Sequence, residues 1–329
     1  MTETRLDVLA IGDAVVDVIA TATDDFLIRE GLTKGSMQVL DADGAAALYA
    51  KMRQARETSG GSAANTMAGV AALGGRAGFV GQVADDQLGE IFTHDIRALG
   101  VEFLTPAKSD GEPTGRCLIL VTPDAQRTMN TFRGAAHELS VAALDADQIS
   151  GAAILYLEAY LWRSAGPRGA MEEAMRIAHE AGRKVAFTLS DIACIKPHRA
   201  EMMAMFEAGA IDLLFANENE IMELASVSTT DAAIAAIQDK VPLLVVTCGA
   251  DGAVAVEHGR RVAAPIARIG KGVIDTTGAG DLFAAGFLVG QARGSDLAES
   301  LRIGAIAAAE VISHFGARPE ADLKALIAA

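Results

Sequence analysis

The sequence predicts an α/β protein with a doubly wound, mostly parallel sheet and a small β-sheet lid, and three observations predict it. Short apolar runs recur along the 329 residues between helix-like segments. Those segments are rich in Ala, Glu and Arg, as at 170–181 and 231–238. Two stretches, 18–41 and 101–130, break the rhythm with strand-like pieces of alternating polarity.

The apolar runs are Val8–Ile11, Ala153–Leu157, Val185–Phe187, Leu213–Ala216 and Leu243–Val246. Unbroken apolar runs of this length mark strands buried on both faces, which requires helices above and below the sheet. In the interrupting stretches Met37–Leu40 and Arg116–Val121 read as strands, and neither stretch supplies a convincing amphipathic helix. They are strands of a small second sheet that closes as a lid, or a hairpin extension of an edge with no motion. The chain then divides into a core of 1–17, 42–100 and 131–329 and a lid of 18–41 and 101–130. The Ala-rich tail, 297–313 and 320–328, carries apolar residues at helical spacing and predicts ordinary helices.

Composition narrows the function. The chain is 51% hydrophobic, enough for one large core. Its 28 basic and 43 acidic residues give a net charge of −15. With no compensating basic run, this argues against a nucleic-acid or anionic-membrane partner, so an anionic ligand needs a local site. Cys117, Cys194 and Cys248 are odd in number, far apart and next to apolar runs, which predicts reduced core residues. Met1–Arg5 lead straight into a strand without a leader pattern, and no run approaches the roughly 18 apolar residues of a membrane span. A cytoplasmic protein with a small-molecule substrate is expected, as a monomer or a homodimer.

The segment from Lys271 to Val289 is the most informative. Asp275-Thr276-Thr277-Gly278-Ala279-Gly280-Asp281 is a Gly-rich turn ending in one acid, and it runs into an apolar helix. Backbone N–H groups there would point outward at a helix N-terminus, where orphan donors and the macrodipole favour an anion. An isolated Asp in a first turn is more commonly a cap. Capping does not require Gly278, Ala279 and Gly280 just before it, and a carboxylate beside a phosphate is awkward unless it takes a proton from an attacking hydroxyl. The expectation is an ATP-dependent kinase with Asp281 as general base. Neither Lys34 nor Lys271 sits in a Walker A frame, and Ile11-Gly12-Asp13-Ala14 is not a dinucleotide fingerprint.

Two further constellations precede it. Gly60-Gly61-Ser62-Ala63-Ala64-Asn65 exposes backbone donors before a helix, and Asn65 offers a donor and an acceptor. It reads equally as an N-terminal turn. Gly12-Asp13-Ala14-Val15-Val16-Asp17 follows the first strand, where ligands of open α/β sheets bind. Asp13 or Asp17 would suit a vicinal diol; the plain alternative is a turn residue and a solvated strand position.

In this order the three pieces resemble the ribokinase-like, or pfkB, family of carbohydrate and nucleoside kinases over essentially the whole chain. The resemblance implies eight or nine core strands under a small β-sheet lid. It implies that Asp281 deprotonates a primary alcohol while the amides of Gly278, Ala279 and Gly280 hold the transferring phosphoryl group. Asn217 and Glu220, in Asn217-Glu218-Asn219-Glu220, look like the family's NxxE element, placed near Mg2+ through water. Thr247, Gly249 and Gly252 would lie along ATP, together with Thr276, and Arg127 would reach the γ-phosphate from the lid.

Among family members the likeness to adenosine kinases exceeds that to ribokinase proper. Asp17 takes the diol-binding place beside Gly61 and Asn65, with Asp13 where an asparagine is usual, a change that keeps an acceptor and removes a donor. Met37 and Gln38 fall on the strand over the base, and Tyr160 on the segment that brings an aromatic to it. Met37, Tyr160 and Phe132 sandwich a planar base or belong to the core. Adenosine, phosphorylated on its 5′-hydroxyl, is the expected acceptor; ribose, fructose or another nucleoside is the alternative, and a non-catalytic binding protein the rival of another class. ATP and Mg2+ are the implied cofactors, and a monovalent cation is left open.

Overall fold

A computed structural model describes residues 4–124, 126–268 and 272–328; Lys271 lies outside them. Fourteen strands are present among the described residues: β1 (Leu6–Ile11), β2 (Val15–Thr21), β3 (Met37–Val39), β4 (Arg56–Gly60), β5 (Ala77–Val80), β6 (Val101–Phe103), β7 (Gly115–Val121), β8 (Arg127–Phe132), β9 (Ala152–Glu158), β10 (Lys184–Thr188), β11 (Leu213–Asn217), β12 (Leu243–Thr247), β13 (Ala253–Glu257) and β14 (Arg260–Ala264). Nine form one sheet in the order β14-β13-β12-β11-β10-β9-β1-β5-β6. It is parallel from β12 to β6, and β13 and β14 run antiparallel at one edge.

Each apolar run splits its residues between two cores, as period-two geometry requires. Val8 and Ala10 of β1 join Ile154 and Tyr156 of β9 on one face, under the helices Ser62–Ala72, Ala279–Ala292 and Leu297–Val311. Leu9, Ile11, Leu155 and Leu157 face the other way, against the helices Ala165–Glu180 and Ile192–Glu207. The doubly wound reading of the five runs holds.

The second sheet has the order β3-β8-β7-β2-β4 and stands over the carboxyl end of β1. Its extent differs from the 18–41 and 101–130 division. β2 begins at Val15, β4 comes from a segment assigned to the core, and β6, inside 101–130, is the edge of the large sheet. Asp24–Arg29 is a short helix capped by the Thr23 hydroxyl. β4 escapes notice because Arg-Glu-Thr-Ser-Gly has almost no apolar content; its burial comes from pairing with β2. Of the cysteines only Cys194 is fully buried.

Two helices meet where both begin. The helix Ser62–Ala72 packs on Ala279–Ala292 through Gly69, where an added Cβ would lie 2.6 Å from Leu282 Cδ1. That approach sets the two N-termini beside each other, next to the carboxyl ends of β1 and β9.

Candidate active site

A cavity of about 520 Å³ lies between the two sheets, a size suited to a small molecule. Both helices open onto it with glycine at the N-cap and no side-chain cap. Gly278 has φ 77° and Gly61 φ 96°. At Gly61 a Cβ would come 2.2 Å from the Asp13 carbonyl oxygen, so only glycine fits.

At the start of Ala279–Ala292, the N–H groups of Gly278, Gly280 and Asp281 have no intramolecular acceptor among the described residues. The Ala279 N–H donates to the Thr276 carbonyl at 3.2 Å, so that member of the expected donor set is held in the turn. Asp281 caps nothing. Its Oδ1 accepts from the Ser62 hydroxyl at 2.6 Å and its Oδ2 from the Asn65 amide at 3.1 Å. Burial pushes its pKa up, opposed by those two hydrogen bonds and by Arg318.

At the other end stand Asp13, Asp17, Met37, Gln38, Gly61 and Tyr160, all lining the same cavity. Burial raises Asp17 to about 6, against the pull of Arg318 and Arg127. Asp13 Oδ1 is buried without a hydrogen-bond partner, 3.6 Å from an equally unpartnered His137 Nε2. Gln38 donates to Asn130 at 2.6 Å, and the Tyr160 hydroxyl to the Ser190 carbonyl at 3.3 Å. Met37 is 51% exposed and belongs to the cavity rim, whereas Phe132 is core beneath the Arg116 guanidinium.

Asn217, Glu220, Thr247 and Thr276 complete the wall. Asn217 and Glu220 form a reciprocal capping box: the Glu220 carboxylate accepts from the Asn217 N–H and side-chain amide, and the Glu220 N–H donates to Asn217 Oδ1. Burial lifts Glu220 to about 7. Among the described residues no cluster of three or more His, Cys, Asp or Glu could hold a metal. Beside Asn217 the wall carries the Glu220 carboxylate, an oxygen donor of the kind a magnesium ion would take together with water and a bound triphosphate.

Three expected residues are not in the wall. Gly249 and Gly252 flank a turn behind Thr247. Arg127 is engaged with the Gly-rich segment itself, donating to Thr277 Oγ1 at 2.9 Å and pairing with Asp275 at 2.5 Å. Asp275 also accepts from the Gly316 N–H; although burial opposes it, these contacts hold its pKa low.

Two residues are new. Glu158, 0% exposed at the end of β9, accepts from the N–H of Asp13 and of Ala63, both at 2.7 Å, tying the two cavity-lining loops together. Burial, then the Asp13 charge, raises its pKa well above the usual range. Its sequence signal was an acid closing an apolar run. Arg318 donates to the Ala64 and Ser59 carbonyls and is held between Asp17, Asp95 and Asp281. Nothing local marks it, since its hydrogen-bond partners lie more than 250 residues away.

The model of the pfkB family carbohydrate kinases matches residues 6–323. The chain belongs to that family. Among curated relatives, 5-dehydro-2-deoxygluconokinase of Shouchella clausii is 30% identical over 281 residues, 82% of this chain and 86% of that one. Among solved structures, adenosine kinase from Sinorhizobium meliloti is 45% identical with TM-score 0.90, covering 98% of each chain. A probable sugar kinase protein from Rhizobium etli is 43% identical with TM-score 0.91, covering 98% of this chain and 97% of that one. This pfkB member is thus a phosphotransferase of ribokinase-like fold, a sugar or nucleoside kinase whose family uses ATP.

Proposed function

We propose that the chain phosphorylates the 5′-hydroxyl of adenosine with ATP, giving AMP and ADP, and that Asp281 is the general base. The observation that carries this is Asp281 itself: a carboxylate in a first helical turn that caps nothing, faces the cavity and already accepts a hydroxyl hydrogen bond from Ser62. An acceptor hydroxyl in that position would lose its proton to Asp281 as it attacks. The free N–H groups of Gly278 and Gly280 at a helix N-terminus suit the transferring phosphoryl group, with Ala279 shaping the turn.

Asp17, with Asn65 and Gly61, would hold the ribose diol, fixing the acceptor's other end. Thr276, Thr247, Gly249 and Gly252 would lie along the nucleotide, and Arg127 would leave Asp275 for the γ-phosphate as the small sheet closes and excludes water. Bound with the triphosphate, Mg2+ would neutralise phosphate charge near Asn217 and Glu220. The likeness to the Sinorhizobium adenosine kinase supports adenosine. Asp281→Asn, which keeps shape and removes the base, should lower kcat at least about 100-fold in an ADP-release assay. A rate within a few-fold of wild type would show that Asp281 is not the base.

A further inference from the structure

The segment Gly316-Ala317-Arg318 follows the helix Leu297–Val311 and touches both glycine turns of the cavity. Gly316 donates its N–H to Asp275 Oδ2 at 2.9 Å. Ala317 lies against Gly278, where an added Cβ would come 2.7 Å from the Ala317 Cβ, so the left-handed N-cap of the Gly-rich turn rests on this segment. Arg318 reaches the other turn. Its Nη1 donates to the Ala64 carbonyl at 2.8 Å, and its Nη2 to the Ser59 carbonyl at 2.7 Å and the Ser59 hydroxyl at 3.0 Å. One planar guanidinium thus grips the chain before and after Gly60-Gly61 and fixes the start of the helix Ser62–Ala72. Ser62 and Asn65 of that start are the two side chains that donate to Asp281.

Arg318 makes no ion pair among the described residues. Its hydrogen bonds go to two carbonyls and a hydroxyl, and its Nε is buried without a partner. Asp95, on the far side, is held by the same Ser59, accepting from its N–H and its hydroxyl. Around Asp281 stand Asp17 from β2, Tyr156 and Glu158 from β9, and Tyr160 just beyond it. None of these carries positive charge, and Arg318 is the cation that opposes them. Arg127 of β8 bears on Asp17 but is paired with Asp275.

We propose that Arg318 is a positioning residue for phosphoryl transfer: by gripping Ser59 and Ala64 it holds Ser62 and Asn65 on Asp281, and it stands as the counter-charge to that carboxylate. This deepens the kinase reading above and rests on it, because it takes Asp281 as the base. Without the cation the neutral acid is favoured, and a neutral acid cannot take the hydroxyl proton. Without the fork the two donors are free to leave Asp281, and the carboxylate loses its aim.

The test follows kcat for adenosine at saturating MgATP from about pH 5 to about pH 9 in wild type, Arg318→Gln and Arg318→Lys. Arg318→Gln should lower kcat by about tenfold and move its acid limb up by about one pH unit. Lysine keeps the charge and loses the fork, so Arg318→Lys should lower kcat about fivefold and leave the acid limb in place. An arginine that only stabilises the fold would not move the limb. An unmoved limb in Arg318→Gln, or wild-type kcat in Arg318→Lys, would overturn the inference and leave the kinase reading standing. A second measurement needs no turnover: the fall in urea midpoint caused by Arg318→Gln at about pH 8 should shrink by about half or more in an Asp281→Asn background. An equal fall in both backgrounds would overturn the inference whatever the activity. No ADP release by wild type with adenosine, ribose or fructose would instead sink the kinase reading.

Discussion

The two ends of the cavity are built from different materials. At the phosphoryl end, one continuous heptapeptide supplies backbone donors, a left-handed glycine and the carboxylate of Asp281, all fixed to a helix buried along its length. At the end proposed to hold the acceptor, Asp13, Asp17, Gln38 and Tyr160 arrive from separate segments and two sheets. On the proposed reading, the chemistry is encoded locally and the specificity is assembled. Substitutions at the first end should change rate for every acceptor, and those at the second should change which acceptor is used.

The joints between the ends offer the strongest way to break this division. Gly61→Ala puts a side chain at φ 96° and 2.2 Å from the Asp13 carbonyl, so it should destabilise the fold by about 3 kcal/mol, read as a lowered urea midpoint. Next is Glu158→Gln, whose amide can accept only one of the two N–H bonds; it should cost about 1–3 kcal/mol and raise acceptor KM more than ATP KM. A KM change confined to ATP would assign Glu158 to the wrong end.

Asp17→Asn should raise adenosine KM about tenfold. It also carries a pH signature. The folded Asp17 titrates near 6 against an ordinary 3.8, so the folded state holds the extra proton between those values. Stability from this group therefore falls as pH rises through that window, and the asparagine variant should gain on wild type from about pH 4 to about pH 6, followed by thermal unfolding. The smallest effect belongs to Ser62→Ala. Losing its hydrogen bond raises the Asp281 pKa further, so the acid limb of the pH–rate profile should move up with only a few-fold loss at its plateau.

Legibility follows the same division. Five core strands were readable because unbroken apolar runs such as Leu243–Val246 record burial on both faces. The Gly-rich turn was readable because its parts are contiguous. β5, four residues long, and β4, polar in sequence, left no such record. Arg318 and Glu158 act across the fold, through partners that are distant in sequence.

The most direct test of the account is ADP release by the wild-type chain with MgATP and adenosine, set beside ribose and fructose. The account predicts turnover of adenosine, with one AMP formed per ADP. Turnover of ribose or fructose without adenosine would contradict the reading of the acceptor end.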